Sequence, residues 1–469
     1  TSIGASMDSA ETHPRVTEPP RAARPQRGDE LELTIDTLAY GGAGVARTDG
    51  YVVFVSGAVP GDRVRAVIGK RKRNWAEART VEIVAPSPDR VAPVADHPGA
   101  PWQILPYARQ LEVKAEQVDD ALRRIGRLDG YVLEEMVPAV QTWRYRNKLE
   151  YSFGADPSSG ALQCGFHAPG RWDEIVPLTD CKLASQPANA ARERIVGWCR
   201  EQGLSAYDRR SNVGALRNLV VREGRRTGAI QARLVTSAKV TLDSESLIAA
   251  AGPLDGLLWT RQDSVGETTQ GGETDLLAGS ERFDEVLGGM TFEISSEAFF
   301  QTNTEMAEQL YELAIEYARP GGFERVYDLY CGIGTIALSI APRVAEVWGL
   351  ELVPEAVADA IANARANEID NAKFFAGDVR LALRELAETA GRPDVLIVDP
   401  PRSGLSQKVV RRIIETSPKR IVYVSCNPTT LAPNAAQLVE AGYRLERVRP
   451  VDMFPQTPHI ECVASLVRR

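Results

Sequence analysis

The sequence predicts an α/β protein in three parts: a doubly wound C-terminal domain, a small β module near the N-terminus and an α+β region between them. Three observations carry this. Strand-like and helix-like segments alternate through residues 286–469. The first of those strands runs into a glycine-rich turn that opens a helix. Residues 27–87 hold only short strands bounded by turn residues. A chain of 469 residues is too long for one ordinary core. Its 43% hydrophobic and 25% charged residues are the proportions of a globular protein.

In chain order, residues 1–26 contain Pro14, Pro19, Pro20, Pro25 and several arginines but few large apolar side chains, and are expected to be a disordered tail. In residues 27–87, Leu31, Leu33, Ile35 and Leu38 broadly alternate with polar residues. Asp49-Gly50 supplies a hairpin turn, because both turn positions need positive φ, and Pro60-Gly61-Asp62 supplies the next turn. A five-stranded barrel follows from this spacing. Its basic strand, with Arg63, Arg65 and the run Lys70 to Arg73 before Trp75, suits phosphates and a stacked base. It equally suits a charged edge strand that resists aggregation. Residues 88–285 read as an α+β region, with a helix over 106–127 and strands over 148–153, 162–167, 219–222 and 229–236.

In residues 286–469, strands are expected over 326–329, 347–351, 373–376, 395–398 and 421–424, with helices over 335–340 and 354–367. The alternation predicts a parallel sheet. No apolar stretch is long enough to span a bilayer and no apolar leader is present, so the cytoplasm is the expected compartment. The six cysteines include no CxxC pair, which argues against a disulfide framework and a zinc site. A net charge of -8 does not suggest an RNA partner, although nucleic acid reads local patches rather than totals.

Chemistry-bearing residues fall at the ends of the predicted strands. Asp328 precedes the turn Gly332-Ile-Gly334-Thr335, and Glu351 ends the next strand, where a carboxylate can take ribose hydroxyls. The glycines also satisfy the looser dinucleotide fingerprint, so an NAD-dependent oxidoreductase stays open. Asp328 tilts the choice, since a carboxylate aimed at that loop repels a pyrophosphate and suits the ammonium of methionine. Asp378, after the third strand, is placed to accept from an adenine amino group. Asp399-Pro-Pro-Arg402 and Ser425-Cys426-Asn427-Pro428 follow the next two strands. Cys426 suggests covalent chemistry: C5 of uracil attacks a sulfonium methyl only after a thiolate has added at C6. A base must then remove the C5 proton, and Glu461 is the candidate. The alternative for Cys426 is an inert buried thiol, which its polar turn disfavours. Cys331 and Cys462 lie beside apolar strand residues and are taken as structural; His459 either orients Glu461, contacts phosphate or is a plain surface residue.

Taken together, Asp-Leu-Tyr-Cys-Gly-Ile-Gly (328–334), Asp-Pro-Pro-Arg-Ser-Gly (399–404), Ser-Cys-Asn-Pro (425–428), Tyr-Arg-Asn-Lys (145–148) and Phe-Phe-Gln-Thr-Asn (299–303) resemble the RNA uridine-5-methyltransferases that carry a TRAM domain. The resemblance runs from about residue 27 to the end. It implies S-adenosylmethionine as cofactor, structured rRNA or tRNA as partner, a flipped target base, Cys426 as nucleophile and Glu461 as proton acceptor. It further implies that Gln301, Tyr330, Thr335, Glu351, Asp378 and Asp399 line the cofactor and base pocket. Thr335 stands where the family commonly has Asn. The division implied is a tail over 1–26, a TRAM barrel over 27–87, a central RNA-binding domain over 88–285 and the methyltransferase domain over 286–469. Many relatives hold an iron–sulfur cluster through four cysteines; here residues 96–106 contain none, Cys181 stands alone, and His97 is a poor substitute, so no cluster and no metal are expected. A monomer is expected. A third reading is a non-catalytic RNA-binding protein, against which the presence of both Cys426 and Glu461 speaks.

Overall fold

The computed structural model describes residues 25–469 other than Asp49, Val265 and Glu267. Most of the expected tail and the first residue of the Asp49-Gly50 turn lie outside the described residues. The chain divides into two units: the part before Asp89 without Tyr40–Gly42, and Tyr40–Gly42 together with Asp89–Arg469.

The smaller unit is a sheet of six strands, one more than expected, in the order Glu30–Thr34, Arg63–Arg71, Trp75–Ala85, Tyr51–Ser56, Gly44–Thr48, Thr37–Leu38. The extra strand arises because the chain changes partner after Ile35: Ile35 still bonds Gly61 and Asp62, but the Asp36 amide donates to the Val45 carbonyl and Thr37 pairs with Val45. Leu33, Ile35, Val53, Val55, Val64 and Ile68 fill its core. Buried Asp62 accepts from the amides of Val59 and Ser87, each at 2.8 Å, and so closes the Pro60-Gly61 turn. Arg63 and Arg65 pair with Glu32 and Glu82. Trp75 packs edge-on against Phe54 at 5.8 Å, with the Lys70 ammonium 5.6 Å from its ring.

The larger unit contains two main sheets. Seven strands run in the order Arg171–Pro177, Leu162–Ala168, Lys148–Ala155, Leu216–Glu223, Ile230–Ser237, Gly256–Gln262, Glu273–Gly279. Helices Gln186–Glu201 and Ser244–Ala251 bury Ile195, Trp198 and Leu247 in the core over this sheet. A hairpin of Arg282–Leu287 and Met290–Ser295 follows. The division placed at 285/286 falls inside that hairpin, because Gly288 and Gly289, both at positive φ, turn the chain back on itself there.

The second sheet has eight strands in the order Ala372–Ala376, Glu346–Glu351, Arg325–Leu329, Val395–Val398, Arg420–Ser425, Glu461–Arg468, Tyr443–Val451, Val132–Leu133. The first five are parallel, as the alternation predicts, and the central Val395–Val398 reads as a continuous apolar run because both its faces are covered. The sheet is not parallel throughout. Glu461–Arg468 runs antiparallel to both its neighbours. The link from Val451 to Glu461 is too short for the dozen or so residues that a parallel crossover needs. No helix among the described residues is long and apolar enough to cross a membrane.

That short link is gripped by the helix Tyr107–Asp120. The Lys114 ammonium lies 2.6 Å from Asp452 with both side chains fully buried, and Tyr107 donates to the other Asp452 oxygen at 2.8 Å. Gln110 exchanges two hydrogen bonds with Gln456, at 2.8 and 2.9 Å. Lys114→Ala would leave the Asp452 side chain buried beside one remaining donor. A loss of ~3–5 kcal/mol in urea unfolding is expected; an unchanged midpoint would refute the pairing as a structural clamp.

Candidate active site

The ends of the first two parallel strands bring together Asp328, Glu351 and the turn between them. Asp328 is the penultimate residue of the strand Arg325–Leu329, almost wholly buried, and neither carboxylate oxygen has a well-formed hydrogen bond. Burial first, then the Asp399 carboxylate, raises its pKa well above the usual carboxylate range, with the Ala337 amide as partial relief. Glu351 is held in place instead: it accepts from the amides of Gly332 at 3.1 Å, Leu352 at 2.7 Å and Val353 at 3.0 Å. Gly334 enters the helix Thr335–Ile340 at φ 85°, and a Cβ there would stand 3.0 Å from the Phe374 ring, so both conformation and space call for glycine. Tyr330, also at positive φ, sits between these groups; burial, then the carboxylates of Asp378 and Glu351, push its hydroxyl up to about 12. Asp378 caps the helix Val379–Ala390, accepting from the Arg380 amide at 2.8 Å and pairing with the Arg380 guanidinium at 3.2 Å. That capping engages both oxygens of the proposed adenine acceptor.

The short motifs at 145–148 and 299–303 prove to be one structure. Asn147 Nδ2 donates to the Gln301 carbonyl and to Thr304 Oγ1, each at 2.8 Å, and its amide donates to the Thr302 carbonyl. Asn303 caps the helix Thr304–Ala318 and donates to the Met453 carbonyl at 2.9 Å. Gln301 is thereby held, largely buried, by Tyr-Arg-Asn-Lys, two residues before the Asn303 that ties down the link to Glu461.

Ser425 and Asn427 shape the turn around Cys426. Ser425 Oγ accepts from the Asn427 amide and donates to the Asn427 carbonyl, both at 3.1 Å. Asn427 Nδ2 then donates to the Arg402 carbonyl at 3.1 Å, which joins this turn to Asp399-Pro-Pro-Arg402. Ser425 pairs with Cys462 in the last rung of the antiparallel ladder, and Cys426 follows the one as Glu461 precedes the other. The charges agree with that adjacency. Burial and then the Glu461 and Asp399 carboxylates push the Cys426 thiol up to about 11, while Arg402 opposes them. Glu461 is buried; burial and Asp399 raise its pKa well above the usual range, and Arg402 again opposes. Burial alone moves Asp399 up to about 7. Of the six free cysteines only Cys426 is not buried, and Cys331 and Cys462 are enclosed. His459 is held near a pKa of about 4 by burial and by Arg402, Arg146 and Lys114, and is neutral at pH 7.

Residues 284–469 match the tRNA (uracil-5-)-methyltransferase family and residues 24–81 match the TRAM domain. An RNA methyltransferase of Halalkalibacterium halodurans is 36% identical over 448 residues, covering 94% of this chain and 97% of that protein. Another from Bacteroides thetaiotaomicron is 37% identical over 458 residues, covering 92% of this chain and all of that protein. The chain belongs to the RNA uracil-C5 methyltransferase family. The crystal structure of the Pyrococcus abyssi tRNA (uracil-54, C5)-methyltransferase with S-adenosyl-L-homocysteine superposes at a TM-score of 0.75, with 29% identity over 93% of this chain and 100% of that one.

Around this methyltransferase site stand residues that sequence reasoning passed over. Tyr311, on the helix Thr304–Ala318, is buried, and its hydroxyl is pushed up by burial, Asp399, Asp328 and Glu461, with Thr335 in hydrogen-bonding contact. It thus links the turn residue Thr335 to the acidic cluster. Tyr40 places its hydroxyl 3.4 Å from the Cys426 carbonyl and feels Cys426, Arg402 and Glu461 together. Among the described residues, Arg402 is the one cation acting on Cys426, Glu461, His459 and Tyr40 alike. Away from the site, His97 Nε2 lies 3.3 Å from Cys181 Sγ, both buried, and no metal-binding group of three or more ligands occurs among the described residues.

The acidic cluster has a measurable cost. Asp399 keeps its proton in the folded chain up to about pH 7, whereas an unfolded Asp loses it near 3.8. The folded state binds the extra proton in that window, so stability falls as pH rises through it and levels off above. Asp399→Asn is expected to flatten this fall by about 1.4 kcal/mol per pH unit. Urea titrations across the window test it; parallel wild-type and variant curves would remove Asp399 from the cluster.

Proposed function

We propose that the protein forms 5-methyluridine in ribosomal or transfer RNA, with S-adenosylmethionine as methyl donor, Cys426 as covalent nucleophile and Glu461 as base. The observation that supports this reading is the position of Cys426 and Glu461 at the end of one antiparallel ladder, where the Glu461 and Asp399 carboxylates both act on the thiol. Three acids with raised pKa values and one arginine call for a cationic ligand. S-adenosylmethionine supplies the methyl group together with an ammonium and a sulfonium charge. Asp328 would hold the ammonium, Glu351 the ribose hydroxyls, and Gln301, Tyr330, Thr335, Asp378 and Asp399 the rest of the cofactor and the base. Positive charge beside Asp399 also lowers the pKa of Glu461 and Cys426, which readies both for the reaction.

In this scheme the Cys426 thiolate forms a bond to C6 of the flipped uracil, and the ring electrons move onto O4 as an enolate that Arg402 steadies. C5 bonds to the methyl carbon, and the departing pair stays on the donor sulfur. Glu461 takes the C5 proton, the Cys426–C6 bond breaks and the thiolate returns. RNA carrying 5-fluorouridine tests the scheme directly, because fluorine leaves Glu461 no proton to remove. A denaturant-stable complex of protein, methylated base and RNA that maps to Cys426 is expected from either the rRNA or the tRNA pool, and that pool identifies the substrate. Turnover without any such complex would eliminate the covalent route.

A further inference from the structure

A cavity lies on the seven-stranded sheet and is lined by none of the residues named above for the methyltransferase site. It has a volume of about 290 Å³ and is bounded by the ends of Lys148–Ala155 and Leu216–Glu223, the edge strand Arg171–Pro177 and the loop through residues 206–210. Trp172 stands on that edge strand with 51% of its surface exposed. The guanidinium groups of Arg210 and Arg209 lie 5.1 and 5.9 Å from its ring centre. Across the cavity Arg217 is buried and stacked 4.5 Å from the centre of Tyr207. It donates to the carbonyls of Gln262, Ser264 and Gly266, at 3.0, 2.6 and 2.9 Å. Two carboxylates also line the space, and both are engaged within it. Asp173 pairs with Arg171 at 3.4 Å and Arg210 at 3.0 Å. Asp208 accepts from the Arg210 amide at 2.9 Å and from Ser211 Oγ at 2.8 Å.

A large aromatic left exposed beside clustered arginines is the chemistry of single-stranded nucleic acid: the ring offers a stacking face to any base, and the guanidinium groups take phosphate. The cavity gives that pairing depth, so a base can enter while its backbone stays at the rim. We infer that this cavity is a second RNA subsite, which receives an unpaired nucleotide of the substrate away from the target uridine, with its base on Trp172 and its phosphate on Arg209 and Arg210. The inference rests on RNA being the substrate, and it explains how a protein of net charge -8 gathers RNA: through local basic and aromatic patches rather than a general field.

The test uses the full chain and a single-stranded oligouridylate of about ten nucleotides, beside an abasic strand of the same length. Trp172→Ala should weaken oligouridylate binding about tenfold, the loss of one stacked base, and Trp172→Phe should restore most of it. The abasic strand should bind wild type and Trp172→Ala equally. The double variant R209Q/R210Q should lower the slope of log affinity against log salt by about 0.7 for each phosphate no longer neutralised. With structured RNA, KM should rise in these variants while kcat and S-adenosylhomocysteine binding stay unchanged, which separates the effect from misfolding. Equal oligouridylate affinity in wild type, Trp172→Ala and R209Q/R210Q would overturn the subsite. If the wild-type protein bound RNA through Trp172 but methylated none, the catalytic reading would fail and the subsite would stand.

Discussion

Cys426→Ala is expected to remove 5-methyluridine formation to below about one part in 10⁴ of wild type, because without the sulfur nothing raises the nucleophilicity of C5. Two controls make the loss specific. S-adenosylhomocysteine affinity should be unchanged, since the residues proposed to hold it belong to the other strand ends. Iodoacetamide should label native wild type at a single position and the variant hardly at all, because the other five cysteines are buried. Labelling should also be slow at neutral pH without cofactor, as the thiol is pushed up to about 11. A Cys426→Ala protein that still methylates RNA, measured by tritium transfer to purified rRNA and tRNA, would rule out the covalent scheme.

Glu461→Gln separates the two halves of the reaction. Addition of the thiol and transfer of the methyl group need no proton removal from C5, so the variant should still form the adduct. Release should slow by ~10²–10⁴, the range for loss of a general base. Protein–RNA adduct surviving denaturation should therefore build up with ordinary RNA. The same substitution removes the largest charge acting against the Cys426 thiolate, so the pH midpoint for alkylation should fall below the wild-type value of about 11. A variant that turns over slowly yet accumulates no adduct would point to a different base.

How much is legible in the sequence depends on how local the determining forces are. The strand over 395–398 and the helix over 335–340 emerge with the bounds expected, since an apolar run buried on both faces and a glycine-marked helix start are local signals. Tyr443–Val451 leaves no such signal: Arg444, Glu446, Arg447 and Arg449 interrupt its apolar residues. Val132–Leu133 joins the same sheet with only two residues, too few to leave a pattern. Strand ends mark Asp328, Glu351, Asp399 and Cys426 as chemistry, because ligands gather there in such sheets. Tyr311 and Tyr40 leave no mark, as one is an ordinary core residue of an amphipathic helix and the other lies 386 positions from its partner. Asp378 reads as a free acceptor because the helix it caps begins one residue later.

The six paired rungs between Arg420–Ser425 and Glu461–Arg468 have a consequence for tolerance to change. Neighbouring strands keep a spacing of about 4.8 Å whatever the loops do. Length changes in the surrounding connections should therefore leave sulfur and carboxylate at their working separation. A slip of one residue would instead swing the carboxylate to the opposite side of the sheet and silence the protein without unfolding it.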